Sequence, residues 1–252
     1  MNTQVIIDNI DRFVSGTLVT LQLTVFSVVL GLGLALLIAL ARLSQHRLLW
    51  MPAYVYSFYF RGTPLLVQIF LIYYGAGQYF ADHPDVRLYL QDLGLWTYLR
   101  NPYPFALLTL TLNTGAYGSE IIRGGIMGIP HGEIEAARSC GMPRLLMLRR
   151  IILPRAFRIA LPAYTNDVVF TFQATSLVSI ITIMDLTGVA RVLISRSFAN
   201  FEIWIFVGAI YCAISYAILY GFQLLEFRWS GHLREQPGMA AKLAPAATVV
   251  VR

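Results

Sequence analysis

The sequence predicts an all-α integral membrane protein with five transmembrane helices, its N-terminus outside and its C-terminus inside. Three observations carry that prediction. First, the 252 residues are 57% hydrophobic and only 13% charged, with a mean hydropathy of +0.64. An ordinary soluble domain is roughly 45–50% apolar and about 25% charged. Second, apolar blocks recur at a length that suits a bilayer, about 20 residues for a core of about 30 Å. Third, the 19 basic residues, 18 Arg and the single Lys242, fall between those blocks. So little polar surface cannot cover a soluble globule of this size. The formal charge of +6 is not gathered on one exposed face, as a nucleic-acid reader would need.

The first span is 17–41, in which Gln22 is the one strongly polar side chain. It is longer than a signal-peptide core, and Asp8, Asp11 and Arg12 precede it instead of a basic leader, so it is expected to be retained. Trp50, Tyr54 and Phe58 follow at helical spacing, an aromatic stripe suited to a helix lying in the membrane interface. The second span, 64–80, comes after Arg61-Gly62-Thr63. The third, 104–122, contains Asn113 and Glu120, and the fourth, 161–183, contains Asn166, Asp167 and Gln173. The fifth is 203–225.

With the N-terminus outside, 13 basic residues face inward and 5 outward, with Arg61 at a boundary. That bias fixes the orientation. Cys140 falls in an inner loop and Cys212 inside the fifth span, so they do not form one disulfide. The four histidines (His46, His83, His131, His232) are isolated, and no metal site is expected. The tail 231–252 is rich in Ala and Pro and is expected to be a disordered cytoplasmic segment.

The inner loop between spans three and four exceeds the few residues that a bare connection needs. Glu133, Ala136, Ala137 and Arg138 favour a helix, Gly141 breaks it, and Pro143 can start a second. Leu145, Leu146, Leu148, Ile151, Ile152 and Leu153 then supply apolar surface, and Pro154 is expected to end that helix. Such a helix–turn–helix can seat in a groove of a cytosolic partner. Periodicity alone favours a loop that only sets topology.

Glu135-Ala136-Ala137, Gly141 after three residues and Ile151-Ile152-Leu153-Pro154 after nine more resemble the EAA loop of ABC-importer permeases. All seven specified positions over twenty residues are met. Further stretches resemble those of polar amino-acid ABC permeases: Arg61 to Gln68, Asn113 to Glu120, Pro130 to Ala137, and Leu161 to Asp167. The likeness is to the subgroup serving histidine, lysine–arginine–ornithine and opines.

The resemblance implies a type I five-helix permease core at 1–230, in a bacterial cytoplasmic (inner) membrane. It also implies a coupling helix within 131–154 that docks on an ATPase, with Glu135, Ala136, Ala137, Gly141 and Pro154 as its residues. The implied partners are two ABC ATPase subunits, a second permease (a paralogue in preference to a copy), an extracytoplasmic solute-binding protein and membrane lipid. No cofactor is expected on this chain. A phosphate-cradling loop needs lysine after glycine, and Lys242 follows Ala241, so ATP and Mg belong to the ATPase.

Ionisable residues inside a span are costly and are functional candidates. Asp167 lies roughly 9 Å into the bilayer at about 1.5 Å per residue from the inner end of span four. Asn166 and Gln173 share one helix face, Asp167 and Thr171 another, and Thr175 and Ser176 continue the polar run. With Asn113 these residues are expected to line the substrate path; holding two permeases together is the other reading. Similar arginine-type permeases carry acids at the sites matching Asp167 and Ala174. This chain keeps one of the two, which suits a path completed by a partner permease.

Glu120 and Arg61 fall at a similar depth near the inner boundary and are expected to form a structural charge pair. A local Glu120–Arg123 pair and a snorkelling Arg61 are the alternatives. The outer stretch 75–100 is long enough to touch a docked protein or to remain a solvated loop. Rival classes are an ATP-independent secondary transporter, which has more spans and repeats, and a membrane-embedded hydrolase using Glu120 and Asp167. The EAA spacing gives no reason for the hydrolase.

Overall fold

The computed structural model describes residues 4–229, in which every regular element is helical. In chain order these are α1 (Gln4–Ile7), α2 (Ile10–Arg42), α3 (Arg47–Gly62), α4 (Leu65–Asp82), α5 (Pro84–Asp92) and α6 (Trp96–Leu99). There follow α7 (Pro102–Met127), α8 (His131–Ser139), α9 (Arg144–Met147), α10 (Leu153–Ala174), α11 (Leu186–Ser197) and α12 (Asn200–Trp229). A π turn, Leu148–Ile152, joins α9 to α10, and a 3-10 segment, Thr175–Ile181, extends α10. The tail expected at 231–252 lies outside the described residues.

Each expected span overlaps one of these helices, with shifted ends, the fourth running on from α10 through the 3-10 segment. By length and apolar composition, α2 and α12 are each able to cross a membrane alone. Two bent pairs are able to do so together: α3 with α4, at 109°, and Arg144–Ile181 with α11, at 48°. The helix α7 is long enough, with 26 residues and about 1.5 Å of rise each, but its composition is less apolar. The reason is its position: α7 packs against α2, α3, α4 and α10 and buries Asn113, Thr114, Gly115, Ala116, Gly118 and Ser119. A helix surrounded by protein needs small side chains for close approach more than it needs a lipid-facing surface.

The spacing at Gly31, Gly115 and Gly118 shows how close that approach is. A Cβ at Gly31 would stand 3.0 Å from the Thr114 side chain, one at Gly115 2.9 Å from the Tyr56 hydroxyl, and one at Gly118 3.0 Å from Ala35 Cβ. Around this seam lie separate apolar clusters, one near Phe13, Leu186 and Ile203, another near Leu23, Ile69 and Leu110.

One expectation needs correction. The helix does not stop at Pro154: it runs on through α10, with Pro154 in the first turn after the π turn. Proline has no N–H and its ring crowds the preceding turn; widening that turn to a π geometry admits the ring without ending the helix. The segment between spans four and five, to which no element is assigned from the sequence alone, contains α11. Its signal was in the sequence: Asp185 caps it, accepting from Thr187 N at 3.2 Å and Gly188 N at 2.9 Å. Leu186, Val189, Ala190 and Leu193 then form its buried face at helical spacing. The outer stretch 75–100 is not a bare loop either, since the end of α4, α5 and α6 occupy most of it.

Candidate functional site

The helix α8 and its glycine corner stand apart from the packed helices. Ala137 is the one buried residue of α8, whereas Glu135 and Ala136 are exposed. The helix ends as the sequence suggests. Gly141 adopts φ +73°, a conformation that costs other residues roughly 1–2 kcal/mol. Its N–H donates to Arg138 O at 2.9 Å and that of Met142 to Ala137 O at 3.2 Å, the paired bonds of a Schellman cap. Arg155 donates to Glu133 at 3.0 Å, tying α8 to the first turn of α10. Beyond the corner Leu145 is 77% exposed. An exposed leucine beside an exposed short helix, on a rigid corner, is a surface shaped for a partner.

A charge hub lies where α2, α3 and α7 converge. Arg42 donates to Glu120 Oε1 from Nε at 3.3 Å and Nη2 at 3.0 Å. Arg123 donates to Oε2 from Nε at 2.9 Å and Nη2 at 2.6 Å. The expected Arg61 partner is the most distant of the three, at 3.9 Å. Thus the local Arg123 pair, weighed as an alternative, is present, and the main inter-helix partner is Arg42. Arg42 is the last residue of α2, and that position brings it beside Glu120. Its guanidinium lies 4.7 Å from the Tyr54 ring centroid and 5.8 Å from that of Trp50, within reach of cation–π attraction.

The bend between α3 and α4 explains the stretch from Arg61 to Gln68. Thr63 is extended, at φ −114° and ψ 144°, as a residue before proline prefers. Gln68 is 1% exposed, and its Nε2 donates across the corner to Phe60 O at 2.8 Å, Thr63 O at 3.0 Å and Thr63 Oγ1 at 2.9 Å. Its Oε1 accepts from Asn113 Nδ2 at 3.0 Å. Asn113 is therefore committed to holding this corner against α7.

The structure divides the polar residues of α10 and its extension. Asp167, Thr171 and Thr175 are buried, with the hydroxyls of Thr171 and Thr114 3.0 Å apart across the α7–α10 seam. Asp167 Oδ2 has no hydrogen-bond partner. Asn166 and Gln173 are exposed and Ser176 is half-buried. Gln173 and Ser176 line an open groove of about 580 Å³ between α10 and α12, with Tyr211, Cys212, Ser215 and Tyr216 on the facing helix. The groove residues on α12 were not singled out from the sequence, because an apolar span with scattered Ser and Tyr gives no motif.

Comparison with known proteins fits this arrangement. A family model described as the binding-protein-dependent transport system inner membrane component matches residues 27–231. The octopine transport system permease protein OccM of Rhizobium radiobacter is 48% identical over 84% of this chain and 84% of its own length. The histidine/lysine/arginine/ornithine transport system permease protein HisM of Escherichia coli K12 is 38% identical over 87% of this chain and 90% of its own. A crystal structure described as an amino acid ABC transporter with histidines superposes with a TM-score of 0.76. It is 32% identical and covers 90% of this chain and 99% of that one.

Proposed function

The chain belongs to the family of binding-protein-dependent transport system inner membrane components, as a non-catalytic ABC-importer permease of the type I fold, and we propose that it carries basic amino acids or opines across a bacterial inner membrane. Five spans, on α2, α4, α7, α10 and α12, with the N-terminus outside, would deliver α8 to the cytoplasm. The 13-to-5 bias of basic residues supports that orientation.

The observation that carries the reading is the α8 corner. Exposed Glu135 and Ala136, the left-handed Gly141 and the Leu145 side chain form the docking surface for an ATPase subunit. Pro154, where the chain turns into α10, completes the coupling segment. Two ATPases, an extracytoplasmic binding protein and a second permease, a paralogue, complete the transporter. ATP closure moves α8, and the rigid Schellman corner and the Glu133–Arg155 bridge pass that movement to α10. Substrate-loaded binding protein must favour ATP closure in return.

For the path itself we assign the outward face of α10 and its extension. Asn166, Gln173 and Ser176 offer amides and a hydroxyl to a carboxylate or an amino group. Buried Asp167, Thr171 and Thr175, with Asn113 at the α3–α4 corner, form the polar layer behind them. One buried acid on α10 of each chain, Asp167, suits a basic substrate whose site is shared with the partner permease.

Co-purification and proteoliposome uptake test the reading together. Wild-type chain is expected to bring down an ABC ATPase, and Glu135→Arg or Gly141→Val to lose it. Uptake that proceeds without ATP or binding protein would favour the secondary transporter.

A further inference from the structure

Three guanidiniums face one carboxylate where α2, α3 and α7 meet, and two positive charges are left over. Among the described residues no other carboxylate pairs with Arg42, Arg61 or Arg123. Excess charge beside a membrane-embedded helix end is costly unless an anion neutralises it. Arg42 and Arg123 each direct two nitrogens at Glu120, and Arg123 Nη1 also lies 2.9 Å from Met127 Sδ. Arg61 differs: its ion pair is 3.9 Å long, its side chain is 44% exposed, and its guanidinium lies 5.7 Å from the Tyr117 ring centroid. Its planar fork is open, and that fork matches a phosphate.

The surface of α3 beside Arg61 has the pattern of a headgroup-to-acyl boundary. Trp50 stacks on Tyr54 at 5.1 Å and Tyr54 on Phe58 at 6.1 Å, and Trp and Tyr concentrate at the headgroup level of membranes. Met51, Val55 and Phe58, at helical spacing, are 62%, 58% and 69% exposed. A helix with an aromatic rim, an apolar stripe and arginines at its end lies in the interface with the stripe in the acyl region.

We infer that this junction binds an anionic phospholipid of the inner leaflet, its phosphate at Arg61 and its acyl chain along Met51, Val55 and Phe58. The lipid neutralises the surplus charge of the Glu120 hub and fixes the angle at which α3 meets the membrane. The inference rests on the orientation proposed above, which sets this junction at the cytoplasmic face.

Native mass spectrometry of the assembled transporter, released from detergent, tests it with phosphatidylglycerol, phosphatidylcholine and inorganic phosphate as probes. The wild type is expected to retain phosphatidylglycerol over phosphatidylcholine, and inorganic phosphate is expected not to displace it. Arg61→Gln is expected to weaken retention about fivefold, the effect of one basic residue at an anionic surface, and Arg61→Lys to restore most of it. Equal retention of both lipids by the wild type overturns the site without any variant. So does unchanged retention in Arg61→Gln, or displacement by inorganic phosphate, which would mark a free-anion site. If Arg61→Cys is shielded from thiol reagents only while the second permease or the ATPase is bound, a protein interface takes the surplus charge instead. None of these readouts involves uptake, so their failure is distinguishable from failure of the permease reading, which would show as ATP-independent transport.

Discussion

Arg42 and Glu120, 78 positions apart, meet at 3.0 Å and join the end of α2 to the C-terminal half of α7. Both side chains are little exposed, at 13% and 14%, and the second oxygen of Glu120 is taken by Arg123. The carboxylate is thus the common anion of the hub. Glu120→Gln is expected to destabilise the chain by about 3 kcal/mol, because it leaves partly buried arginines without their anion. Arg42→Gln should cost a comparable amount. Arg61→Gln should cost under about 1 kcal/mol, since its pair is long and half-exposed. Thermal unfolding of the three variants in one detergent checks the order; a cost for Arg61→Gln equal to that for Arg42→Gln would refute it.

Gln68 holds the 109° bend of α3 and α4 through one side chain that touches three acceptors and one donor. Gln68→Leu keeps the volume and removes all four contacts. It is expected to cost about 2–3 kcal/mol, the penalty for leaving buried polar groups unsatisfied, and to expose the Thr63–Pro64 link to proteolysis. Asn113→Ala should show a smaller loss, because Gln68 would keep its bonds across the corner. Limited proteolysis with mapping of the cut site separates the two, and an uncut Gln68→Leu variant would contradict the assignment.

How much of this was readable beforehand depends on the kind of interaction. The blocks that became α2 and α12 are apolar on all sides, and hydropathy finds such helices directly. Gly141 was readable because its φ follows from the residue type, and Trp50, Tyr54 and Phe58 because stacking at i, i+4 is local. The partners of Glu120 were not, since equal depth admits Arg42, Arg61 and Arg123 alike and side-chain reach decides between them. Nor was the split between Asp167 and Gln173: both are polar residues of one helix, and their separation into buried and exposed faces depends on where α7 and α12 pack. The π turn escaped notice because Pro154 ordinarily reads as a helix end, and only the widened turn before it shows otherwise.

Close packing at glycines gives a sharper contrast than charge. A Cβ at Gly125 would stand 2.6 Å from Ala156 O, and one at Gly188 would collide with Ile183 O. Both obstacles are backbone, which does not swing aside. Gly125→Ala and Gly188→Ala are each expected to cost about 1–3 kcal/mol as overpacking. Gly132, whose Cβ would meet nothing within 4 Å, is the control, and Gly132→Ala should be neutral or slightly stabilising. Melting temperatures of the purified variants decide this, and a Gly125→Ala variant as stable as Gly132→Ala would mean that α7 and α10 separate more easily than their contact suggests.

Asp167 and Gln173 answer different questions about the path. Gln173 is exposed on the groove, so Gln173→Ala should raise the KM for uptake, by about tenfold if its amide bonds a charged substrate group, with assembly unchanged. Asp167 is buried with one oxygen unpartnered, so Asp167→Asn removes the charge at nearly constant volume. If that charge only fills space between α10 and its neighbours, the variant will transport as the wild type does. If it sets the potential of the path for a basic substrate, uptake of arginine will fall while a neutral amino acid is affected less and the ATPase still co-purifies. The second outcome is expected, because a buried carboxylate with an unpartnered oxygen in a membrane helix is too costly to retain for packing that an asparagine would supply as well. Proteoliposome kinetics with arginine and glutamine as paired substrates check it, and unchanged kinetics for both in Asp167→Asn would remove Asp167 from the path.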